Sequence, residues 1–151
     1  MPPFDNDKLL DEVGRRILYL LQENARLSFS EIGRQVGLTQ PAVAERVRRM
    51  EENGIITGYH AAVSLEKMGR EVNVFIHVTA HDGRYERIET FARKQPDISE
   101  CYCIAGSVDV LIKASFESLA QLKAMVDKLS AFGSVESSVI LEAYVSRRAL
   151  K

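Results

Sequence analysis

The chain has 151 residues, with 20 lysines and arginines against 21 aspartates and glutamates and a formal net charge of -1. That balance excludes a polycation acting by bulk neutralisation of phosphate, so any nucleic-acid affinity has to come from locally placed cations. A composition of 46% hydrophobic and 27% charged residues is globular, enough for one domain or two small ones; Met1 to Lys8 has no positive leader or apolar run, and no segment approaches the roughly 20 apolar residues that span a bilayer, which predicts a soluble, cytoplasmic chain without a membrane partner.

In chain order, Asp11 is positioned to cap a first helix whose apolar face is Val13, Ile17, Leu20 and Leu21 and which ends near Asn24. Ser28-x-x-Glu31 has the spacing of a capping box, so a second helix starts near Phe29, buries Ile32 and Val36, and stops at Gly37. Thr39 is a favourable N-cap for a third helix, and Pro41 falls in its first turn, where a missing N–H removes no helical bond. Val43, Val47 and Met50 recur at helical spacing and form the buried stripe.

Two capped helices joined by a glycine turn are the pattern of a helix-turn-helix, which offers the start and open face of its second helix to duplex DNA. The candidate DNA-binding residues are the caps Ser28 and Thr39, the leading Gln40, Pro41 and Ala42, and Glu45, Arg46, Arg48 and Arg49. Glu45 and Arg48 project opposite the buried stripe, with Arg49 at its side. Arg46 lies nearer the buried flank, so it either pairs with a neighbouring carboxylate or reaches DNA. Taken alone, the arginines also fit an ordinary solvated helix face.

Gly54-Ile55-Ile56 closes the third helix, and Thr57 to Leu65 has the β-branched and aromatic content of an extended, strand-like connector. Val72, Val74, Ile76 and Val78 then alternate with Asn73, Phe75, His77 and Thr79, as in a strand with two distinct faces. Tyr85, Ile88, Phe91 and Ala92 predict a helix running toward Pro96. Ser99 to Ala105 and Val108 to Ser115 read as strands joined by a tight Gly106-Ser107 hairpin. Leu119, Leu122, Val126 and Leu129 mark another helix, and Val135 to Val145 a final strand. The fold class is α+β: three helices, then β-α-β-β-α-β in the ferredoxin-like order. The predicted boundaries are 1–58 for the helix-turn-helix domain, 59–67 for a linker or hinge strand and 68–151 for the second domain.

Cys101 and Cys103 are two apart on a strand, roughly 7 Å between α-carbons, at or beyond the limit for a disulfide; they read as reduced, buried thiols. His60, His77 and His81 form no ligand cluster with them, so no metal and no cofactor is expected.

The segments LDEVGRRIL, ENARLSFSEIGRQVGLTQPAVAERVRRMEENGIITGYHA and SECYCIAGSVDVLIKA, in this order and spacing, resemble the Lrp/AsnC (leucine-responsive/asparagine-type) transcriptional regulators over nearly the whole chain. The resemblance implies a sequence-specific DNA-binding regulator whose C-terminal regulatory (RAM) domain dimerises and often assembles further, commonly to octamers. It also implies a partly palindromic duplex operator and a free amino acid as effector. The family's effector position falls on Gly106, Ser107 and Asp109. Asp109 would accept from an ammonium and Gly106 would offer backbone N–H to a carboxylate, with Tyr102 and Ile104 lining the site; equally, a glycine and an aspartate are what a hairpin turn prefers. Two departures stand out. Gly14 replaces a usual aspartate, at about 1 kcal/mol relative to alanine and without consequence for the recognition face, and Ser107-Val108 replaces a more polar or aromatic pair. Two alternatives come from other classes. One is the related sirohaem decarboxylases of tetrapyrrole chemistry, for which His77 and His81 would be the candidates. The other is an amino-acid sensor that no longer binds DNA.

Overall fold

The computed structural model describes residues 9–81, 85–146 and 148–150. These form two compact units, one made of residues up to Ala61 together with the C-terminal segment from Tyr144, the other of Ala62–Ala143. The segment from Tyr144 groups by contact with the helical unit, where the Gln22 side chain donates to the Leu150 carbonyl at 3.0 Å and accepts its N–H at 3.1 Å.

The first unit holds α1 (Glu12–Glu23), α2 (Phe29–Val36) and α3 (Gln40–Glu52). Each begins at the predicted cap: Asp11 accepts from Gly14 N, Ser28 and Glu31 form a complete capping box, and Thr39 accepts from Ala42 N. At the end of α2, Gly37 takes φ 71°, a left-handed conformation that glycine adopts without steric cost. The amphipathic faces converge on Ile17, Leu20, Leu21, Ile32, Val43 and Val47, with Leu27, Phe29 and Leu38 packed at the margin. Full burial of each such side chain contributes about 1.5–3 kcal/mol, so the apolar faces hold the unit while the caps set where each helix starts.

Residues 57–65 carry no strand, contrary to the predicted strand-like connector; they are largely exposed and lead into a 3-10 turn at Glu66–Met68. β-branched content favours extended backbone, but a strand also needs a partner ladder, and these residues have none among the described residues.

The second unit is β1 (Val72–Ala80), α4 (Tyr85–Ala92), β2 (Ile98–Cys103), β3 (Val110–Phe116), α5 (Leu119–Leu129) and β4 (Gly133–Val139). The sheet is antiparallel in the order β2-β3-β1-β4. Val74, Ile76 and Val78 of β1 and Val110, Ile112, Ala114 and Phe116 of β3 form one buried face with Ile88, Leu122, Met125 and Leu129 from the helices. Leu119, predicted on that face, is 65% exposed, and Met125, one turn after Leu122, is buried instead.

Two strand boundaries differ from expectation. β4 ends at Val139 rather than Val145: Val139 lies opposite Val74, and Ile140 N donates to Asn73 O at 2.8 Å as the last link to β1. Beyond it Leu141 and Tyr144 are 94% and 89% exposed. The β2–β3 connection is wider than a two-residue hairpin. Ile104 N still donates to Asp109 O, but Asp109 N donates to Val78 O and its carboxylate accepts from Ala80 N at 2.8 Å, drawing Asp109 toward β1.

Candidate nucleic-acid interface

α3 is a capped rod with one face fixed and one open. Val43, Val47 and Met50 are at most 1% exposed, while Gln40, Pro41, Glu45, Arg48 and Arg49 are exposed and Ala42 is half-buried within this chain. The predicted caps are both made. Ser28 Oγ accepts from Glu31 N at 3.2 Å and donates to Glu31 Oε2 at 2.6 Å, and Thr39 Oγ1 accepts from Ala42 N at 3.4 Å. Both hydroxyls therefore act first on the backbone, leaving Gln40 as the leading polar side chain of the helix.

The open face is electrostatically balanced. Arg48 donates to both oxygens of Glu45, at 2.7 to 3.0 Å, and to Glu52 Oε1 at 2.5 Å. Hydrogen bonding to Arg48 holds the Glu45 carboxyl below its ordinary value, and Glu45 and Glu52 in turn raise the Arg48 guanidinium above its own. Arg49 makes no ion pair among the described residues, so on α3 it is the arginine whose charge is least committed. Arg46 takes the first of its two predicted alternatives: Nη1 and Nη2 donate to the two carboxylate oxygens of Asp11, both at 2.9 Å.

In the second unit the predicted effector residues fall on β2 and on the connection between β2 and β3. Tyr102 is 49% exposed and donates to Glu100 Oε2 at 2.6 Å, beside the Lys113–Glu100 ion pair on the open face of the sheet. Ile104 is 37% exposed, Gly106 and Ser107 are exposed, and a side chain at Gly106 would meet nothing within 4 Å. Asp109 is already engaged by Ala80 N. The Gly106 to Asp109 stretch is thus an open loop tip anchored at one end.

The strand places Cys101 and Cys103 on the other side, across from Ile112 and Val110 and facing α4. Both are free and exposed, which corrects the expectation of buried thiols. β2 is an edge strand and α4 covers it incompletely, leaving a cleft of about 400 Å³ lined by Tyr85, Glu89, Arg93, Cys101, Cys103 and Val110. Partial burial, with Glu89 close by, pushes the Cys101 thiol up. Sequence reasoning missed this cleft, although strand alternation already separated the C-x-C pair from Tyr102. His77 is half-buried on the open sheet face opposite Leu111 and Glu136, and His81 is exposed. Among the described residues no group of three His, Cys, Asp or Glu side chains could hold a metal ion, and no helix is long and apolar enough to cross a membrane.

A three-helix unit with a capped, solvated second helix of the turn, followed by a one-sided β-α-β-β-α-β sheet, is the architecture of a helix-turn-helix domain joined to a ferredoxin-like domain. Residues 10–51 match the AsnC-type helix-turn-helix domain model and residues 73–150 the Lrp/AsnC ligand binding domain model. A proline dehydrogenase transcriptional activator of Rhodobacter capsulatus is 40% identical over 146 residues, covering 92% of this chain and 95% of that protein. The solved structure of LrpC from Bacillus subtilis superposes with a TM-score of 0.84 at 34% identity, covering 89% of this chain and 96% of that one. A transcriptional regulator of Neisseria meningitidis in complex with L-Met gives 0.88 at 28% identity, over 94% and 96%. The chain belongs to the Lrp/AsnC family and is a sequence-specific DNA-binding transcriptional regulator of that type. This support falls on the regulator and not on the tetrapyrrole enzyme.

Proposed function

We propose that this regulator reads a partly palindromic duplex operator as a dimer, which assembles further to an octamer, and that a free amino acid adjusts its assembly or its DNA affinity. The observation that carries the reading is α3: its inner stripe is fully buried while Gln40, Glu45, Arg48 and Arg49 stay in solvent. In this geometry Gln40, Pro41 and Ala42 approach base edges, Glu45 and Arg48 act together on the groove floor, and Arg49 meets phosphate. Thr39 offers its backbone N–H at the start of α3, whereas the Ser28 N–H is taken by Glu31 Oε2 at 2.8 Å, so Ser28 acts by fixing the start of α2. The protein's work is binding rather than catalysis, carried out in the cytoplasm and without a cofactor.

Self-association is supported by the sheet, which has helices on one side only; its open face exposes Phe75, His77, Leu111 and Tyr102 in part, a surface that a second copy would cover. The effector reading rests on the match to the ligand-binding domain and on the L-Met complex of the Neisseria relative. Here the open loop tip at Gly106-Ser107 would face the amino acid's carboxylate through backbone N–H, with Asp109 holding the loop base to β1 and offering its remaining oxygen. An effector that does this has to bind one assembly state more tightly than another. Titrating the amino acids singly while recording sedimentation and operator affinity tests it. The expected result is that at least one of them shifts both, and no change for any of them removes the sensing role.

A further inference from the structure

α3 carries its reading face on a helix that is otherwise held by apolar contacts, and Val43, Val47 and Met50 set its depth better than its rotation, because dispersion contacts are non-directional. Rotation about its own axis decides whether Glu45, Arg48 and Arg49 face outward. Arg46 sits between the outward Glu45 and the inward Val47, at the flank where a fixed point controls that rotation. Its guanidinium meets Asp11 as a fork, two parallel N–H···O contacts of 2.9 Å across 35 residues of sequence, and such bidentate pairs are directional.

The carboxylate is itself held still. Asp11 Oδ1 also accepts from Gly14 N at 2.7 Å as the N-cap of α1, and Arg15 Nε donates to Leu10 O at 3.0 Å in the same turn. That lead-in exists only because residue 14 is glycine: a Cβ there would lie 1.8 Å from the Leu9 carbonyl oxygen, and Leu9 is 4% exposed. The glycine expected merely to weaken the first helix instead lets the chain fold over it and present Asp11. The fork is also partly solvent-exposed, with side-chain exposures of 28% for Arg46 and 40% for Asp11. Exposed ion pairs contribute little to stability, so the consequence of this one lies in geometry.

We propose that Asp11 is a positioning residue for DNA recognition, fixing the rotation of α3 through the Arg46 fork, and that Arg46 serves orientation rather than touching phosphate. The inference rests on the reading that α3 enters the groove. The test uses the full-length protein and an operator obtained by selection from random duplexes, with Asp11→Asn, Arg46→Gln and the double variant. Asparagine caps a helix about as well as aspartate, so Asp11→Asn removes the charged fork and keeps α1. Each single variant is expected to lose operator affinity on the order of tenfold, with the double no worse than either, as for two members of one contact. The salt dependence of binding and the affinity for random duplex should stay as in the parent chain. If Arg46 instead meets phosphate, Arg46→Gln flattens the salt slope by about one and Asp11→Asn strengthens binding by freeing the arginine; either result overturns the proposal. Equal loss on operator and random duplex marks a merely structural role and overturns it as well, as does unchanged affinity. Failure of the parent chain to select any operator strikes the groove reading itself and is seen before the variants are made.

Discussion

The two compact units solve the same problem, leaving a surface free for function, in opposite ways. In the helical unit a small apolar centre of Ile17, Leu20, Leu21, Ile32, Val43 and Val47 is surrounded by polar devices, the caps at Asp11, Ser28 and Thr39 and the Asp11–Arg46 fork. In the sheet unit a larger set of buried residues forms one core, and among the described residues the free surface is the sheet face on which no helix packs. The comparison teaches that the first unit places its exposed helix face among directional polar contacts, whereas the second leaves its exposed sheet face open by packing alone. Polar substitutions should therefore disturb the first unit's function, and core truncations should dominate in the second.

The sharpest break is a cavity in the sheet. Phe116 is 1% exposed, and Phe116→Ala is expected to cost about 3–5 kcal/mol, with Ile17→Ala in the smaller core at about 2–5 kcal/mol. Hydrogen exchange resolved by peptide checks both, with protection lost first over β1 and β3 in one variant and over α1 to α3 in the other. Equal loss in both regions for either variant would dissolve the contrast between the units.

Smaller effects come from the polar devices. Thr39→Ala should cost about 1 kcal/mol through loss of the α3 cap, read as a lower denaturation midpoint. Acid should act on this unit as well. The Asp11 carboxyl is held below its ordinary 3.8, chiefly by its hydrogen bond with Arg46 and then by Gly14 N–H, and the Glu31 carboxyl below 4.5, chiefly by the Ser28 hydroxyl. With folded values under the unfolded ones, their stabilisation is complete above the ordinary carboxylate range and disappears as pH falls through the lower folded values. Thermal midpoints measured down to pH 3 should decline below about pH 4.5, and less so in Asp11→Asn with Glu31→Gln; an undiminished decline in that variant would show that other groups control acid sensitivity.

What could be read from residues alone follows the same division. Caps and periodic stripes are local, so Ser28-x-x-Glu31, Thr39 with Pro41, and the alternation of Val74, Ile76 and Val78 gave the three helices and the β-α-β-β-α-β order directly. The Asp11–Arg46 fork spans 35 positions and has no local signature; only Arg46's place near the buried flank hinted at a carboxylate partner. Strand ends depend on neighbours: β4 leaves the β1 ladder after Val139, and Asp109 bonds to β1 rather than closing a tight hairpin. Cys101 and Cys103 were misjudged because alternation tells which face a residue takes but not whether a helix covers an edge strand.

The open face of α3 is tested most directly by selecting bound duplexes from a random pool with the parent chain and with Gln40→Ala combined with Glu45→Ala. The account predicts a partly palindromic consensus for the parent chain, its half-sites about one helical turn or a multiple apart, and an altered base preference at symmetry-related positions for the variant. The same consensus, recovered at the same affinity from both proteins, would contradict it.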